Sequence, residues 1–536
     1  MQIYDNKIFR NPIRVITAFD NSSFLRAFEI IETFSKTHFI LGYVRYEAKD
    51  IFLGQKVKSQ LPLLYFEVFD RYEQYIPQQP ETFYLNLKPA LKFNQYNSAI
   101  ERIKHEIACG NTYEVNYTFD FDIDFDGDPL KLYEYLRGLQ PTPYNAFIKN
   151  DYETILQFSP ELFFEIHNRH ILTKPMKGTV KRSVGKDKDL IEFLKTDIKN
   201  RAENVMIVDL LRNDLGKISK TGSVKVTKLF EIETHPTFHT MTSTIEADLL
   251  DNVKLLDVFK SLFPCGSVTG APKISTMHII DELEYGNRGV YCGTIGFLSP
   301  EKFTFSVAIR ILQSKVGGGF KYRVGGAIVW DSVARDEWLE AFTKTKFLNS
   351  DFKIIETLNH DTPYFDKHIA RMEKTAKYYG FPFDIKKFPT ITGSGIFRIL
   401  LDKKGNFEVE YKELQTYQPD MVSISSITVN SSDDFLQYKT TYRPYYHVDY
   451  EEYYDELFFN EKGELTEGSR TNVILELDGK LYTPPVKCGL LNGIFRQQFL
   501  DEGKCIEKIL YKKDLLTASA IYCVNSVRGI KKVELR

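Results

Sequence analysis

"FPCGSVTGAPKISTMHIIDELE", residues 263–284, changes character halfway along. Gly266 and Gly270 flank the hydroxyls of Ser267 and Thr269, and Pro272 stands where a first-turn proline belongs. An apolar stripe through Ile274, Met277 and Ile280 then predicts a helix. A glycine-hydroxyl loop that opens a helix can cradle an anion, because backbone N–H groups and the helix dipole point the same way. Taken alone, such loops usually only turn the chain.

Around this stretch helices and strands mix without regular alternation, which favours α+β over a doubly wound parallel sheet. Residues 97–110, "NSAIERIKHEIACG", predict a helix with Asn97 as cap, an Ile100/Ile103/Ile107 stripe and Gly110 as stop. Residues 197–217, "DIKNRAENVMIVDLLRNDLGK", predict a second, longer one. The runs at 153–159, 303–312 and 322–330 are rich in β-branched and aromatic residues and predict strands. At 346–352 a charged helix ends and a new strand-like run begins, which divides the chain into domains 1–348 and 349–536. With 536 residues, more than one core is expected.

Bulk properties exclude several classes. The formal net charge of −2 gives no basic surface for nucleic acid. No apolar run reaches the ~20 residues of a membrane span, and the amino terminus has no signal-peptide core. The six cysteines form no CxxC pair, so a reducing cytoplasm is the expected location.

Acidic residues carry the first chemical signal. In "RDEWLEAFTKTK" (335–346), Glu337, Glu340 and Lys344 share one helical face, while Trp338, Ala341 and Phe342 share another. Glu203 interrupts an apolar turn of the 197–217 helix. The plain reading is two solvated faces. If Glu203 and Glu340 meet in one cavity, two carboxylates can hold Mg²⁺ and leave positions open for a substrate oxygen.

Four segments in order, "SPELFF" (159–164), "AENVMIVDLLRNDLG" (202–216), "FPCGSVTGAPK" (263–273) and "RGVYCGTIG" (288–296), resemble the chorismate-utilising enzymes. That family includes anthranilate, aminodeoxychorismate, isochorismate and salicylate synthases. The resemblance runs from about residue 95 to 346 and implies an α/β sandwich like that of anthranilate synthase component I. It implies Mg²⁺ at Glu203 and Glu340 with Glu337 nearby, and substrate contacts from Thr179, Tyr291, Arg310 and Lys344. Glu161 matches a general acid for the departing C4 hydroxyl. Two features depart from the pattern. The glycine-rich strand reads "GGA" at 325–327, and the family's histidine position falls on either His239 or Thr240, leaving a catalytic His239 open.

"KPMKGTVKR" (174–182) then bears on the reaction. Lys177 can be a solvated charge, an anion clamp or a nucleophile. A lysine amine has a pKa of about 10.4, so only roughly one in a thousand is neutral at pH 7. A nucleophile needs lowering by about three units, or about 4 kcal/mol, through burial and nearby cations, for which Lys174, Lys181 and Arg182 are candidates. Anthranilate synthases resemble this segment but carry alanine there, whereas aminodeoxychorismate synthases carry the lysine. The resemblance implies that the amine attacks C2 and expels the C4 hydroxyl, after which ammonia attacks C4 and expels the lysine.

The remaining chain resembles the fold-type IV pyridoxal-phosphate enzymes, and within them the aminodeoxychorismate lyases. The evidence is "KHIARM" (367–372), "DDFLQYKTTYR" (433–443), the long motif at 458–496 and "VNSVRG" (524–529). This implies a domain of two α/β subdomains. Lys439 matches the cofactor-linking lysine, Glu467 the acid facing the pyridine nitrogen and Arg371 a phosphate clamp. Asn472 and the backbone at Ile494 match the rest of the cofactor site. A homodimer through this domain is also implied.

Together the halves imply a fused enzyme that converts chorismate and ammonia to 4-aminobenzoate for folate. No Gly-x-Cys-x-Gly nucleophile elbow is present, so nitrogen arrives as free ammonia or from a separate glutamine amidotransferase subunit. The rivals are an anthranilate- or isochorismate-type synthase joined to an amino-acid aminotransferase, and a scaffold with dead sites. "GYVRYEAKD" (42–50) looks like the family's amino-terminal sheet, but residues 1–90 have no assigned role.

Overall fold

The computed structural model describes residues 1–77, 83, 85–181, 187–235, 238–345, 347–348, 352–391, 395–412, 419–429, 431, 434–443 and 452–536. The chain forms two compact units, Met1–Ser350 and Asp351–Arg536. The division falls two residues beyond the boundary read from the sequence.

In the first unit two ten-stranded sheets face each other, and their pairings are antiparallel. Ile148, Ile155 and Ile311 of one sheet pack with Phe163, Phe164 and Phe305 of the other in a shared apolar core. Helices cover the outer faces. Ile198–Gly216 contributes Ile207, Leu211 and Leu215 to that core. Ala334–Lys344 and Phe93–Ala108 cover the other sheet, where Trp338 stacks on Phe119 at 4.9 Å. Described strands within residues 1–90 build into both sheets. Phe39–Val44 pairs with both Thr294–Leu298 and Leu64–Phe69 inside one sheet, while Gln2–Tyr4 pairs with Tyr144–Lys149 in the other.

Several expectations about elements need correction. The helix expected from Asn97 begins at Phe93, because the Lys92 backbone N–H donates to Gln95 Oε1 at 2.9 Å and closes the first turn earlier. The run 303–312 is two strands, Lys302–Val307 and Ile311–Lys315, separated where Arg310 takes a φ of +51°. Pro272 caps the helix Lys273–Leu283 from outside its first turn. Ile274 lies 59% exposed, and the buried face runs through Thr276, Met277, Ile279 and Ile280.

The second unit has a three-stranded antiparallel sheet, Ile354–Asn359, Ile396–Leu401 and Phe407–Lys412, backed by the helix Phe365–Tyr379. It also has an eight-stranded mixed sheet, in which Met421–Val429 runs parallel to both Asp455–Asn460 and Gly529–Leu535. Each sheet has its own apolar cluster, as two subdomains require. Both units are α+β.

Candidate active site

Lys177 lies on the strand Met176–Lys181, which pairs with Phe238–Asp248. The ladder slips between Lys177, opposite Met241, and Thr179, opposite Thr240. Gly178 is the extra residue, with a φ of +74°, so this is a bulge built on a glycine. Bulges turn side chains out of register, which is the local reason for glycine beside this lysine.

The Lys177 ammonium is nearly buried and donates to Glu114 Oε1 at 2.7 Å. Burial works against its charge, but Glu114, then Glu203 and Glu161, more than offset this and hold the amine above the ordinary lysine value. Among the described residues the field at Lys177 is set by carboxylates, opposite to the expected tuning by neighbouring cations. Lys174 pairs with Glu233 instead, and Arg182 and the Lys181 side chain lie outside what the structure describes.

Glu161 is 4% exposed and accepts from Ser267 Oγ at 2.7 Å. Burial pushes its carboxyl up to about 7, against the opposing pull of Ser267 and Lys177. The glycine-hydroxyl loop thus spends its hydroxyls internally. Ser267 holds Glu161, and Thr269 Oγ1 donates to the carbonyls of Cys265 and Gly266. Its glycines serve close packing. A Cβ on Gly270 would stand 1.9 Å from the Glu114 carbonyl oxygen, which is how the loop reaches the strand carrying Glu114.

Glu203 and Glu340, far apart in sequence, feel each other's charge. Burial and the neighbouring acids Glu114 and Glu340 raise Glu203, whereas Lys344 at 2.7 Å lowers Glu340. Glu337 is buried and raised by burial, and accepts from Ser332 Oγ at 2.7 Å. A Cβ on Gly326 would meet Glu337 Oε2 at 3.1 Å, so the bare glycine of "GGA" leaves room for that carboxylate. Among the described residues no three acidic, histidine or cysteine side chains converge as a ready metal cage. Two carboxylates within each other's field suit a hard divalent cation that keeps several waters.

The predicted substrate contacts divide. Arg310 is desolvated, which lowers its guanidinium. It lies 4.6 Å over the Phe238 ring, and its Nη1 is buried without a hydrogen-bond partner. An orphaned donor of this kind suits an anionic ligand. Tyr291 is buried and its phenol raised accordingly. Lys344, expected as a carboxylate clamp, is committed to Glu340 and to the Gly325 carbonyl at 2.7 Å. Thr179 is exposed, with its hydroxyl 3.4 Å from that of Thr240. His239 is buried with its ring nitrogens toward Thr234 (2.9 Å) and Asp187 (3.4 Å). Those contacts do not include Lys177.

In the second unit the Lys439 segment zips onto the strand Ile354–Asn359, with the Ile355 N–H donating to the Lys439 carbonyl at 3.0 Å. Burial, opposed by Glu356 and reinforced by Arg371, Arg443 and Arg398, pushes this amine down to about 7. Arg371, expected as a phosphate clamp, chelates Glu356 through Nε (2.7 Å) and Nη2 (2.8 Å), and its Nη1 reaches the Asn492 carbonyl at 3.3 Å. His368 Nδ1 binds the same carboxylate at 2.6 Å. Glu467 accepts from Asn472 Nδ2 at 3.0 Å and from the Leu491 N–H at 3.1 Å. A Cβ on Gly493 would stand 1.9 Å from Asn472 Oδ1, so this turn is held tight where Ile494 opens the helix Ile494–Asp501. A desolvated low-pKa lysine, a buried acid and a helix start fit an aldehyde cofactor with a ring nitrogen and a phosphate.

Residues 2–350 match the sequence profile of the family described as chorismate binding enzyme. This chain belongs to the chorismate binding enzymes. Residues 352–535 match the profile of amino-transferase class IV. Aminodeoxychorismate synthase component 1 of Salmonella typhimurium is 39% identical over 253 residues, covering 47% of this chain and 56% of that protein. Anthranilate synthase component 1 of Archaeoglobus fulgidus is 32% identical over 329 residues, covering 57% of this chain and 79% of its own. The crystal structure of anthranilate synthase component I from Streptococcus pneumoniae matches with a TM-score of 0.57 and 26% identity, over 65% of this chain and 92% of that one. This chorismate binding enzyme therefore spans little more than half the length of the Salmonella protein. Among its described residues no helix is long and apolar enough to cross a membrane.

Two acids at the sites escaped the sequence reading. Glu114 sits in "NTYEVNYTF" and Glu356 in "KIIETL", each a single carboxylate in an otherwise strand-forming run. A lone charge in a buried strand was the available signal, because such a charge needs a partner.

Proposed function

We propose that this chorismate binding enzyme aminates chorismate to 4-amino-4-deoxychorismate in its first unit and removes pyruvate in its second, giving 4-aminobenzoate for folate. The observation that carries the reading is the nearly buried Lys177 amine, 2.7 Å from Glu114 and within the fields of Glu203 and Glu161. An amine at that position is what separates para from ortho amination under the family resemblance.

Chorismate is a dianion, so it needs positive charge beside these acids. Mg²⁺ held by Glu203 and Glu340 would supply a Lewis acid, and the orphaned Arg310 Nη1 would hold a carboxylate. Glu161, kept protonated near neutrality by burial, gives its proton to the departing C4 hydroxyl. Lys177 bonds to C2 and ammonia replaces it through C4.

In the second unit Arg371, Glu467, Asn472 and the backbone at Ile494 would seat pyridoxal phosphate, which when bound acts as an electron sink. Lys439, whose amine titrates near 7, takes the proton at C4 of the aminated ring. Pyruvate leaves, and aromatisation makes that loss strongly downhill. Arg398 and Arg443, both close enough to act on Lys439, put positive charge where a doubly carboxylated ring enters.

Ammonia is delivered free or by a separate glutamine amidotransferase subunit. Six free thiols support work in a reducing cytoplasm. The test supplies the full chain with chorismate, Mg²⁺, an ammonium salt and pyridoxal phosphate and identifies the aromatic product. The expected product is 4-aminobenzoate, and anthranilate would overturn the reading.

A further inference from the structure

A nucleophilic lysine must lose a proton, and Lys177 is surrounded by groups that favour keeping it. The groups facing its amine come from separate elements. Glu114 starts the strand Glu114–Asp124, Glu203 lies on the helix Ile198–Gly216, and Glu161 precedes the strand Leu162–His167. Of the three, Glu114 is the one in hydrogen-bonding contact with the amine. Its side chain is fully buried, and its second oxygen, Oε2, is buried without a hydrogen-bond partner. The carboxylate therefore spends one oxygen on the lysine and none on the scaffold.

We propose that Glu114 is a catalytic residue of the synthase half, the base that takes the Lys177 proton and later returns it. The inference rests on the covalent reading above and deepens it. Two charges removed from water cost desolvation that their attraction repays only in part. Passing one proton across 2.7 Å turns the pair into a neutral amine and a neutral acid, removing that penalty at the moment of attack.

The step balances. Lys177–NH₃⁺ and Glu114–COO⁻ become Lys177–NH₂ and Glu114–COOH. The free amine bonds to C2, the C1=C2 and C5=C6 double bonds move to C1=C6 and C4=C5, and the C4–O bond breaks. Water departs with the proton of Glu161. Ammonia then bonds to C4, the double bonds shift back and the C2–N bond breaks, releasing Lys177 as a neutral amine. The new C4 ammonium gives one proton to Glu161, and Glu114 returns its proton to Lys177.

The test uses the full-length chain with chorismate and Mg²⁺ but no ammonia, so that the reaction stops at the lysine-bound ring. Rapid quenching, digestion and mass spectrometry follow the peptide containing Lys177, and equilibrium binding of chorismate is measured in parallel. Glu114→Gln is expected to slow formation of the adduct about a hundredfold or more, with chorismate affinity changed less than about threefold. An adduct formed within about threefold of the wild-type rate would overturn the proposal. If Glu114→Gln fails to bind chorismate, the shorter pair decides. Glu114→Asp, which keeps an acceptor, should form the adduct at least about tenfold faster than Glu114→Asn, and equal rates overturn the proposal. Absence of any adduct in the wild type, together with undiminished para product from Lys177→Ala, contradicts the covalent reading itself and removes the base with it.

Discussion

Two lysines in one chain meet opposite fields. Lys177 is ringed by Glu114, Glu203 and Glu161 and is held above the ordinary value. Lys439 is desolvated in the field of Arg371, Arg443 and Arg398, with Glu356 opposing them, and is pushed down to about 7. Burial penalises both ammonium groups, so the sign of the neighbours decides the outcome. An amine near 7 is already half neutral at physiological pH. An amine held by carboxylates needs a proton acceptor in contact. The same residue type therefore serves the two proposed steps through different machinery.

The comparison is broken most severely by removing either amine. Lys177→Ala should cut chorismate amination by at least about a thousandfold while conversion of supplied 4-amino-4-deoxychorismate stays within about twofold. Lys439→Ala should do the reverse and accumulate the aminated ring, which chromatography of reaction mixtures detects. Loss of both activities in either variant would deny the separation of tasks.

Glu356→Gln attacks the field around Lys439. It leaves Arg371 and His368 without their shared carboxylate, and breaking a buried pair from one side costs about 3–5 kcal/mol. Chemical denaturation should register that loss in the second unit. Because Glu356 raises Lys439, the variant should also lower the lysine's titration midpoint.

pH sharpens the contrast. Glu161 is a carboxyl raised to about 7, so it is protonated below that value, and the amination rate should fall as pH rises through it. Lys439 is an amine lowered to about 7, so it is neutral above that value. Its capture of an aldehyde, followed by absorbance, should slow about tenfold per unit as pH falls below it. The two profiles should slope in opposite directions.

Much of this was legible in sequence, and the losses share a cause. Periodicity placed the helix Ile198–Gly216 and the strand Glu153–Ser159 almost to the residue, because both carry strong local signals. The cap of the helix Phe93–Ala108 was placed five residues late, at Asn97, since the actual N-cap is Lys92, a residue outside the usual capping set. Lys177 could be singled out, but its field could not. Glu114 is 63 residues away and Glu203 lies on another element. For the same reason Arg371 was assigned to a phosphate without its tie to Glu356, and Lys344 to a carboxylate of substrate without its tie to Glu340. Local pattern names the residue, whereas charge partners depend on which strands become neighbours.

The smallest expected effects concern glycines. Gly270→Ala presses a Cβ against the Glu114 carbonyl at 1.9 Å, where φ is +141°, and should destabilise the first unit by about 1–3 kcal/mol in thermal denaturation. Gly326→Ala meets Glu337 Oε2 at 3.1 Å, a contact relieved by a few tenths of an ångström, and should weaken Mg²⁺ activation only severalfold.

The most direct test of the central claim is the mass of the Lys177 peptide after rapid mixing of the wild-type chain with chorismate and Mg²⁺ in the absence of ammonia. The account predicts a gain equal to chorismate less one water, located at Lys177 and discharged as 4-amino-4-deoxychorismate when ammonium is added. An unmodified Lys177 peptide at every quench time, from enzyme that still makes the para product when ammonium is supplied, would contradict it.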